Sequence, residues 1–267
     1  MPVIDVDNLA DDRLAPYRNL KDRELAREGG RFLAEGRHVV ERLLAAPFEV
    51  ESVFCARKRL EHVRPLVPDA VPMYVAPDGV LDEVVGFEFH SGVLAVGRRP
   101  AALGVDAWAA RVTAGDPANC TVLVCPHTRS AENLGALLRI GAAFGVAGVV
   151  LGPQCTDPFW RRTIRVSMGA VFKLPLLQSD DLRRDLDTLA QAHGFERVAA
   201  VTDADAQPLA AASRGPRLAL LLGSEDQGLG EWVHCSDRRV TIPMSLGTDS
   251  LNVAVAAAVF LYHFTQR

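Results

Sequence analysis

The feature of this sequence that most limits its possible folds is a set of short runs that are apolar almost throughout. Residues 218–222 are leucine or alanine at every position. Comparable runs lie at 121–125, 147–151 and 198–201, and helical patterns at 133–144 and 181–193 separate them. Strands that are apolar on both faces and alternate with helices indicate a parallel sheet covered on both sides. Ligands bind such sheets where the strands end in loops at the carboxyl edge.

The first hundred residues repeat this alternation on a smaller scale. Strand patterns at 50–55, 72–75 and 92–96 alternate with helical patterns that include 19–28 and 77–85. The alternation predicts a small α/β domain. An Arg-Arg-Pro-Ala-Ala run at 98–102 marks its end. We therefore predict a first domain at 1–100, a linker at 101–119 and a second domain at 120–267.

The bulk composition excludes several classes of protein. The 267-residue chain is 49% hydrophobic and 23% charged, with a formal net charge of −4, so no global positive field attracts nucleic acid. Any polyanionic partner must be held by a local basic patch. Five cysteines without CxxC spacing indicate reduced thiols, and the sequence shows neither a signal peptide, a membrane-length apolar run nor a paired Cys/His metal set. We expect a cytoplasmic protein without a metal or a membrane segment.

The C-terminal run 239–264 combines a strand, a loop and a helix. Residues 240–242 form a strand pattern that Pro243 ends, because proline has no N–H to donate. Ser250 is then the expected N-cap of a helix that is apolar nearly all round and must be buried in the domain or by a partner. Ser250 and Asn252 therefore lie where a loop meets a buried helix, a position that suits a ligand. The alternative is a capped core helix without a ligand.

Two further loops follow strands of the same sheet. In the loop and helix at 127–139, Gly135 and Arg139 are four residues apart, so they share a helix face where a guanidinium could meet a phosphate. In the loop at 223–229, two glycines frame an acidic pair and let the backbone approach a ligand closely. Each loop alone is equally consistent with an ordinary helix or turn. Three such loops on one sheet edge favour a binding site.

Other kinds of site lack their sequence signatures here. The glycines at 141, 145 and 148 do not have the GxGxxG spacing, and no Gly-Lys-Ser/Thr phosphate loop is present. This argues against a nucleotide-dependent α/β enzyme. His127 is a conceivable base, but no nucleophile signature such as G-x-S-x-G accompanies it.

Taken together, the three loops resemble the motifs of the SpoU/TrmH family, the knotted RNA ribose 2′-O-methyltransferases of the SPOUT superfamily. The matching segments are Asn133-x-Gly135-x-x-x-Arg139, Leu222-Gly223-Ser224-Glu225-x-x-Gly228-Leu229, and Ile242-Pro243-Met244 with Ser250-Leu251-Asn252-Val253. The resemblance covers residues 120–264, and 161–175 also looks like the family. Residues 18–97 are more weakly similar to the L30e-like substrate-binding domain that many members carry.

The resemblance implies a fold and a cofactor. It implies a C-terminal parallel-sheet SPOUT domain with a trefoil knot, preceded by an L30e-like α/β domain, and a homodimer. It also implies S-adenosylmethionine, held largely by backbone. Carried over to this sequence, cofactor contacts fall at Leu222, Gly223, Ile242, Met244 and Leu251.

The resemblance also implies a polar catalytic set, which comprises Asn133, Arg139, Glu225, Ser250 and Asn252. The reaction is displacement at the sulfonium methyl by a ribose 2′-hydroxyl, which alignment accelerates because the donor is already activated. The family proposal makes Arg139 the base. Guanidinium rarely loses its proton, so we expect Arg139 to hold a phosphate and stabilise alkoxide charge.

The RNA must then be held by local basic side chains, and family analogy favours ribosomal over transfer RNA. The candidates are Arg161, Arg162 and Arg165 in the second domain, and Lys21, Arg23, Arg27 and Arg31 in the first. For the first-domain group, scattered surface charge is an equal alternative. The competing functions are a transfer-RNA 2′-O-methyltransferase, a base methyltransferase and a non-catalytic RNA-binding relative.

Overall fold

The computed structural model describes residues 3–8, 10–18, 25–26, 30–77 and 91–265. The chain divides into two compact units, each described separately below. The first unit comprises residues 1–101 and 157–173, and the second comprises 102–156 and 174–267.

The secondary-structure elements are numbered here in chain order. The strands are β1 (Val3–Asp5), β2 (Arg31–Glu35), β3 (Val50–Ala56), β4 (Met73–Ala76), β5 (Val93–Arg98), β6 (Cys120–Cys125), β7 (Gly148–Leu151), β8 (Leu176–Gln178), β9 (Glu196–Val201), β10 (Gln207–Pro208), β11 (Arg217–Leu222) and β12 (Arg238–Thr241). The α-helices are α1 (Arg37–Leu44), α2 (Leu60–Val63), α3 (Val105–Thr113), α4 (Ala131–Ala143), α5 (Arg161–Val166), α6 (Leu182–Gln191) and α7 (Val253–Thr265). Short 3-10 turns lie at Asp12–Tyr17, Arg57–Arg59, Arg64–Leu66, Ala170–Phe172, Leu209–Ala211 and Gly230–Cys235.

The second unit is built on a seven-stranded sheet of order β10-β12-β9-β11-β6-β7-β8. All its neighbouring strands run parallel, which confirms the predicted parallel sheet. Every residue of β6 is buried, as is every residue of β11 after Arg217. Helices α3 and α6 cover one face through Trp108, Val112 and Leu186, and burial of this apolar surface is the main stabilising contribution.

The strand order brings two of the predicted loops together. From β6 the chain moves outward to β7 and β8, then returns to β9 on the other side, and β11 inserts between β9 and β6. Val124 of β6 pairs with Leu221 of β11, so both strands reach the carboxyl edge at the same level. The direction of winding reverses at β6, and such a reversal leaves a crevice between the loops that follow the strands.

The first unit contains a mixed sheet of order β1-β4-β3-β5-β2. Its α/β character was predicted, although β2 was not recognised as a strand. Phe159 and Phe172 pack on Phe32 of β2, with ring centroids 5.2 and 5.6 Å apart. Residues 157–173 therefore belong to the core of this unit. The predicted helices 19–28 and 77–85 lie largely outside the described residues.

Two predicted segment assignments differ from the structure. The predicted linker 101–119 contains α3, whose Trp108, Ala109 and Val112 are buried in the second unit. These residues form an apolar stripe at helical spacing, which favours a helix. The linker was predicted because of the Arg-Arg-Pro run that precedes them. The predicted continuous domain 120–267 is interrupted, because 157–173 packs with the first unit through its aromatic side chains.

Three further properties concern the described part of the chain. None of its helices combines the length and apolar character needed to cross a membrane. Its His, Cys, Asp and Glu side chains form no group of three or more suited to a metal ion. All five cysteines are free thiols.

Candidate active site

The loop after β6, the loop after β11 and the segment leading into α7 are joined by side-chain hydrogen bonds. Asn252 Nδ2 donates to Asn133 Oδ1 at 3.2 Å and also to the Glu225 carboxylate. His127 Nε2 bonds the Gly228 carbonyl at 3.0 Å. The structure thus brings together three of the five predicted catalytic residues, one from each motif.

Asn252 also begins the last helix. Its Oδ1 accepts the backbone N–H of Ala254 at 2.9 Å, and its backbone carbonyl accepts that of Ala256 at 2.9 Å. The expectation that Ser250 is the N-cap was therefore wrong: α7 starts at Val253 and Asn252 caps it. Asparagine is as good an N-cap as serine. Because Oδ1 faces an N–H, the two donors of Nδ2 must point towards Asn133 and Glu225.

The loop after β11 is a tight turn closed on itself. Ser224 N donates to Gly228 O at 2.8 Å, and Gly228 N donates to Ser224 O at 3.0 Å. Gly228 has a φ of 57°, in the left-handed region that favours glycine. A Cβ on Gly223 would lie 2.1 Å from the carbonyl carbon of Gly228, so no other residue fits at 223 without moving the turn.

Beside this turn lies a cavity of about 560 Å³. All five predicted cofactor residues line it, namely Leu222, Gly223, Ile242, Met244 and Leu251. Of the predicted catalytic residues, Ser250 and Glu225 line it as well, whereas Asn133, Arg139 and Asn252 do not. Its volume is within the range of roughly 300–1,000 Å³ that is usual for small-molecule sites.

The cavity wall also includes residues that the sequence did not indicate. Thr202 and Asp203 follow β9 and line the cavity beside the glycine turn. The sequence could have indicated them, because they directly follow the apolar run 198–201. Since β9 pairs in parallel with β11, the loops after both strands lie at the same edge of the sheet. The loop after β9 was not considered because it resembles no motif. Val233 and Phe260 complete the apolar part of the wall.

A second, smaller cavity of about 60 Å³ adjoins the same turn. Its lining comprises His127, Thr128, Arg129, Ser130, Asn133, Ser224, Glu225, Asp226, Gln227 and Val253. Ser224, Glu225, Gln227 and Val253 line both cavities. The turn at 224–227 therefore borders both cavities, and nine of the ten residues that line the smaller one have polar side chains.

The loop before α4 is held by several contacts. Ser130 Oγ accepts the N–H of Asn133 at 3.2 Å and caps the helix. The Cys155 thiol donates to Cys125 O at 2.9 Å and accepts from Thr128 N at 3.3 Å. Burial raises the pKa of the Cys155 thiol to about 11, so it stays protonated at neutral pH. These contacts fix the backbone that carries Asn133.

Arg139 lies apart from this network. It is exposed on α4, six residues beyond Asn133, which is about 9 Å along the helix axis. It is not among the residues that line the two cavities. Within the described part of the chain, Arg139 makes no ion pair and no side-chain hydrogen bond. Its guanidinium is therefore available to an anion from outside the chain.

The predicted RNA-binding residues divide into three groups. Lys21, Arg23 and Arg27 lie outside the described residues. Arg31 pairs with Glu51 at 2.9 Å. Arg161 and Arg165 lie 3.5 and 3.4 Å from the carboxylate of Glu35, and they belong with Arg162 to the first unit instead of the second. Side-chain exposure is 57% for Arg165, which leaves part of its guanidinium accessible.

Known proteins resemble both parts of the chain. The sequence profile of the SpoU rRNA methylase family matches residues 121–262. The profile described as RNA 2′-O ribose methyltransferase substrate binding matches residues 33–101. Because the first match spans more than half of the chain, it carries the family assignment.

Individual relatives agree with these profiles. An uncharacterized tRNA/rRNA methyltransferase of Mycobacterium bovis is 39% identical over 100% of this chain and 93% of its own length. The 23S rRNA (guanosine-2′-O-)-methyltransferase RlmB of Acinetobacter baylyi is 30% identical over 85% of this chain and 94% of its own. A crystal structure of an RNA 2′-O ribose methyltransferase superimposes with a TM-score of 0.74 at 26% identity, covering 98% of this chain and 97% of that one. The chain belongs to the SpoU rRNA methylase family.

Proposed function

We propose that this protein transfers a methyl group from S-adenosylmethionine to a ribose 2′-hydroxyl of ribosomal RNA. The observation that carries the proposal is the cavity lined by all five predicted cofactor residues, next to the bonded set Asn133, Glu225 and Asn252. The similarity to the 23S rRNA (guanosine-2′-O-)-methyltransferase of Acinetobacter baylyi supports the same reaction.

The chemistry of the large cavity fits this cofactor. Its charged lining residues are Asp203, Glu225 and Asp249, and no lysine or arginine is among the described residues that line it. An acidic wall suits a sulfonium and an amino group, whereas its carboxylates would repel a polyphosphate. Bound there, S-adenosylmethionine would supply an activated methyl group. This lining argues against the nucleotide-dependent alternative.

The residues of the chain would then act by alignment. Asn252 holds Glu225 and Asn133 together, which fixes the glycine turn against the start of α4. The small polar cavity beside Glu225 is where we place the ribose hydroxyl. Holding the two reacting groups in a fixed geometry is the largest contribution available to a reaction with an activated donor.

Arg139 would bind the phosphate next to the target ribose and stabilise the developing alkoxide. Its exposure and its lack of a carboxylate partner in the described part of the chain support this role. Its separation from Asn133 along α4 is compatible with action in a site completed by a second copy of the chain. The role of Ser250 is to shape the mouth of the cavity, which it lines.

We also propose that the protein is a homodimer. Helix α7 exposes Val255, Val259 and Tyr262, with relative exposures of 51%, 40% and 60%. These residues repeat at i, i+4 and i+7, so they form one apolar stripe that a second copy would cover. Light scattering of the wild type and of Val259→Glu tests this, with a dimer expected for the first and a monomer for the second. A trefoil knot at residues 120–264 is part of the same proposal and is supported by family membership.

The first unit would bind the substrate RNA, as its profile match at 33–101 suggests. Arg161, Arg162, Arg165 and Arg31 stay candidates for this contact, as do Lys21, Arg23 and Arg27. A cytoplasmic location follows from a ribosomal substrate. Transfer RNA is the second candidate substrate, because the relative from Mycobacterium bovis is a tRNA/rRNA methyltransferase by name.

Methyl transfer to purified RNA fractions tests the substrate. Radiolabelled S-adenosylmethionine is incubated with the protein and with unmodified ribosomal or transfer RNA transcripts. We expect label in ribosomal RNA that Arg139→Lys reduces. Label confined to transfer RNA would support the second candidate, and no label in either, with no calorimetric binding of the cofactor, would support a non-catalytic relative.

A further inference from the structure

His127 makes a contact that neither the family motifs nor the proposed chemistry uses. The side chain follows β6 and is only 6% exposed. Its Nε2 lies 3.0 Å from the Gly228 carbonyl oxygen. A carbonyl only accepts hydrogen bonds, so Nε2 must carry the proton and donate it. The same carbonyl accepts from Ser224 N at 2.8 Å, and both of its lone pairs are thus engaged.

This hydrogen bond joins the two cavities' walls. His127 begins the loop whose Ser130 caps α4 and positions Asn133. Gly228 closes the turn that forms one wall of the large cavity. The imidazole thus connects the loop that carries Asn133 to the turn that faces the proposed cofactor.

The hydrogen bond from His127 is the more protected of two connections that the structure shows between these loops. The second runs through Asn252, whose hydrogen bonds to Asn133 and Glu225 are exposed. Water competes with exposed hydrogen bonds, whereas a donor on a buried ring is held by its surroundings. The turn has its own closure between Ser224 and Gly228, so it does not depend on His127 for its shape.

We infer that His127 is a positioning residue, which acts through Gly228 to hold the Asn133 loop at a fixed distance from the cofactor turn. This inference rests on the proposed function. Without the Nε2 donor the cofactor turn keeps its shape, but the loop that faces the ribose is released. A loss of alignment then lowers turnover and leaves cofactor affinity nearly unchanged.

A matched pair of amide substitutions isolates the donor. In His127→Gln the amide nitrogen is the same number of bonds from Cα as Nε2, so it can reach Gly228. In His127→Asn the amide stops where Nδ1 stood and falls short. Both variants place a similar polar group in the site, and His127→Leu adds one that removes hydrogen bonding altogether. Single-turnover methyl transfer, calorimetric cofactor affinity and melting temperature are measured for each.

We expect His127→Asn and His127→Leu to lose about 10–100-fold in single-turnover rate, since small misplacements of reacting groups have effects of that size. Their cofactor affinity should stay within about threefold of wild type, and His127→Gln should recover most of the rate. The inference is overturned if the single-turnover rate of His127→Asn equals that of wild type, or if His127→Gln loses as much rate as His127→Asn. It is also overturned if cofactor affinity falls by the same factor as the rate. If Leu does not fold, the Gln and Asn comparison still decides.

Failure of the proposed function has a different signature. In that case wild type itself binds no S-adenosylmethionine and transfers no methyl group. The methyl-transfer rate of each His127 variant is therefore expressed relative to that of an active wild type. The nitrogen NMR spectrum of the wild-type imidazole shows which ring nitrogen carries the proton, and this measurement needs no substrate. A His127 ring protonated at Nδ1 alone would overturn the inference even if methylation is observed.

Discussion

Asn252 donates a hydrogen bond to Asn133 at 3.2 Å, although 119 positions separate the two residues in the chain. The contact joins the segment before the last helix to the start of α4. Asn252 can make it because its Oδ1 is already engaged in capping α7, which orients the amide. The Asn252 side chain thus both caps α7 and holds Asn133 in the candidate site.

Because Asn252 caps α7, substitutions at Asn252 and at Ser250 should change the free energy of unfolding by different amounts. Asn252→Ala should lower the free energy of unfolding by about 1 kcal/mol, because the N-cap acceptor is lost. Ser250→Ala should change it by less than about 0.5 kcal/mol, because Ser250 is exposed and outside the helix. Urea unfolding at neutral pH measures both. A larger loss for Ser250→Ala would return the N-cap to Ser250.

The close approach at the glycine turn predicts a severe effect of a single methyl group. Gly223→Ala places a Cβ 2.1 Å from the Gly228 backbone, so the turn must shift. We expect a destabilisation of about 1–3 kcal/mol and a large loss of calorimetric affinity for S-adenosylmethionine. Gly115→Ala is the control, since a Cβ there meets nothing within 4 Å. Unchanged affinity in Gly223→Ala would remove the turn from the cofactor site.

The proposed role of Arg139 predicts separation of binding from turnover. Arg139→Lys keeps the positive charge but loses the planar fork that grips a phosphate. Cofactor affinity should be unchanged, while most of the methyl transfer is lost. Arg111→Lys, at another exposed helical arginine, should leave both properties intact. Wild-type turnover in Arg139→Lys would reject the role.

The buried thiols predict a loss of stability in alkali. Burial raises the pKa of Cys155 to about 11 and that of Cys55 to about 12. Above pH 9 the unfolded thiols ionise while the folded ones stay protonated, so the folded state holds more protons and stability falls as the pH rises. Each thiol can contribute up to about 1.4 kcal/mol per pH unit in this window.

A serine substitution tests whether a buried thiol causes this loss of stability in alkali. Cys155→Ser removes one titrating group, so its unfolding free energy should fall less between pH 8 and pH 10 than that of wild type. Tyrosines and lysines titrate equally in both proteins and cancel in the comparison. An identical fall in the two proteins would show that Cys155 does not titrate with a raised pKa.

The central sheet was predictable because its signal is local. Residues 218–222 must be covered on both faces wherever they lie, and a parallel sheet is the arrangement that covers them. The five cavity residues at 222–251 came from the resemblance to the SpoU/TrmH motifs, carried over position by position, and not from the strand pattern. His127 was considered only as a conceivable base, because its partner Gly228 is 101 positions away and no local pattern indicates their contact.

Other parts depended on packing that the sequence does not display. Trp108 and Val112 mark a helix, but a neighbouring Arg-Arg-Pro run favoured a linker. Phe159 and Phe172 are apolar residues that either unit could have buried, and their contacts with Phe32 and Phe48 assign them to the first. Serine and asparagine are equivalent N-caps in isolation, so Ser250 and Asn252 could be distinguished only by where α7 begins.

We propose that three loops joined by Asn252 align a methyl donor with a ribose oxygen. Mass mapping of the methylated nucleotide, in ribosomal RNA treated with wild type and with Asn252→Asp, tests this alignment. The aspartate keeps the capping acceptor but replaces the donor with a carboxylate facing Glu225. We expect a 2′-O-methyl product from wild type, and a folded variant whose rate is lower by about tenfold or more. A methyl group on a base, or full activity in Asn252→Asp, would contradict it.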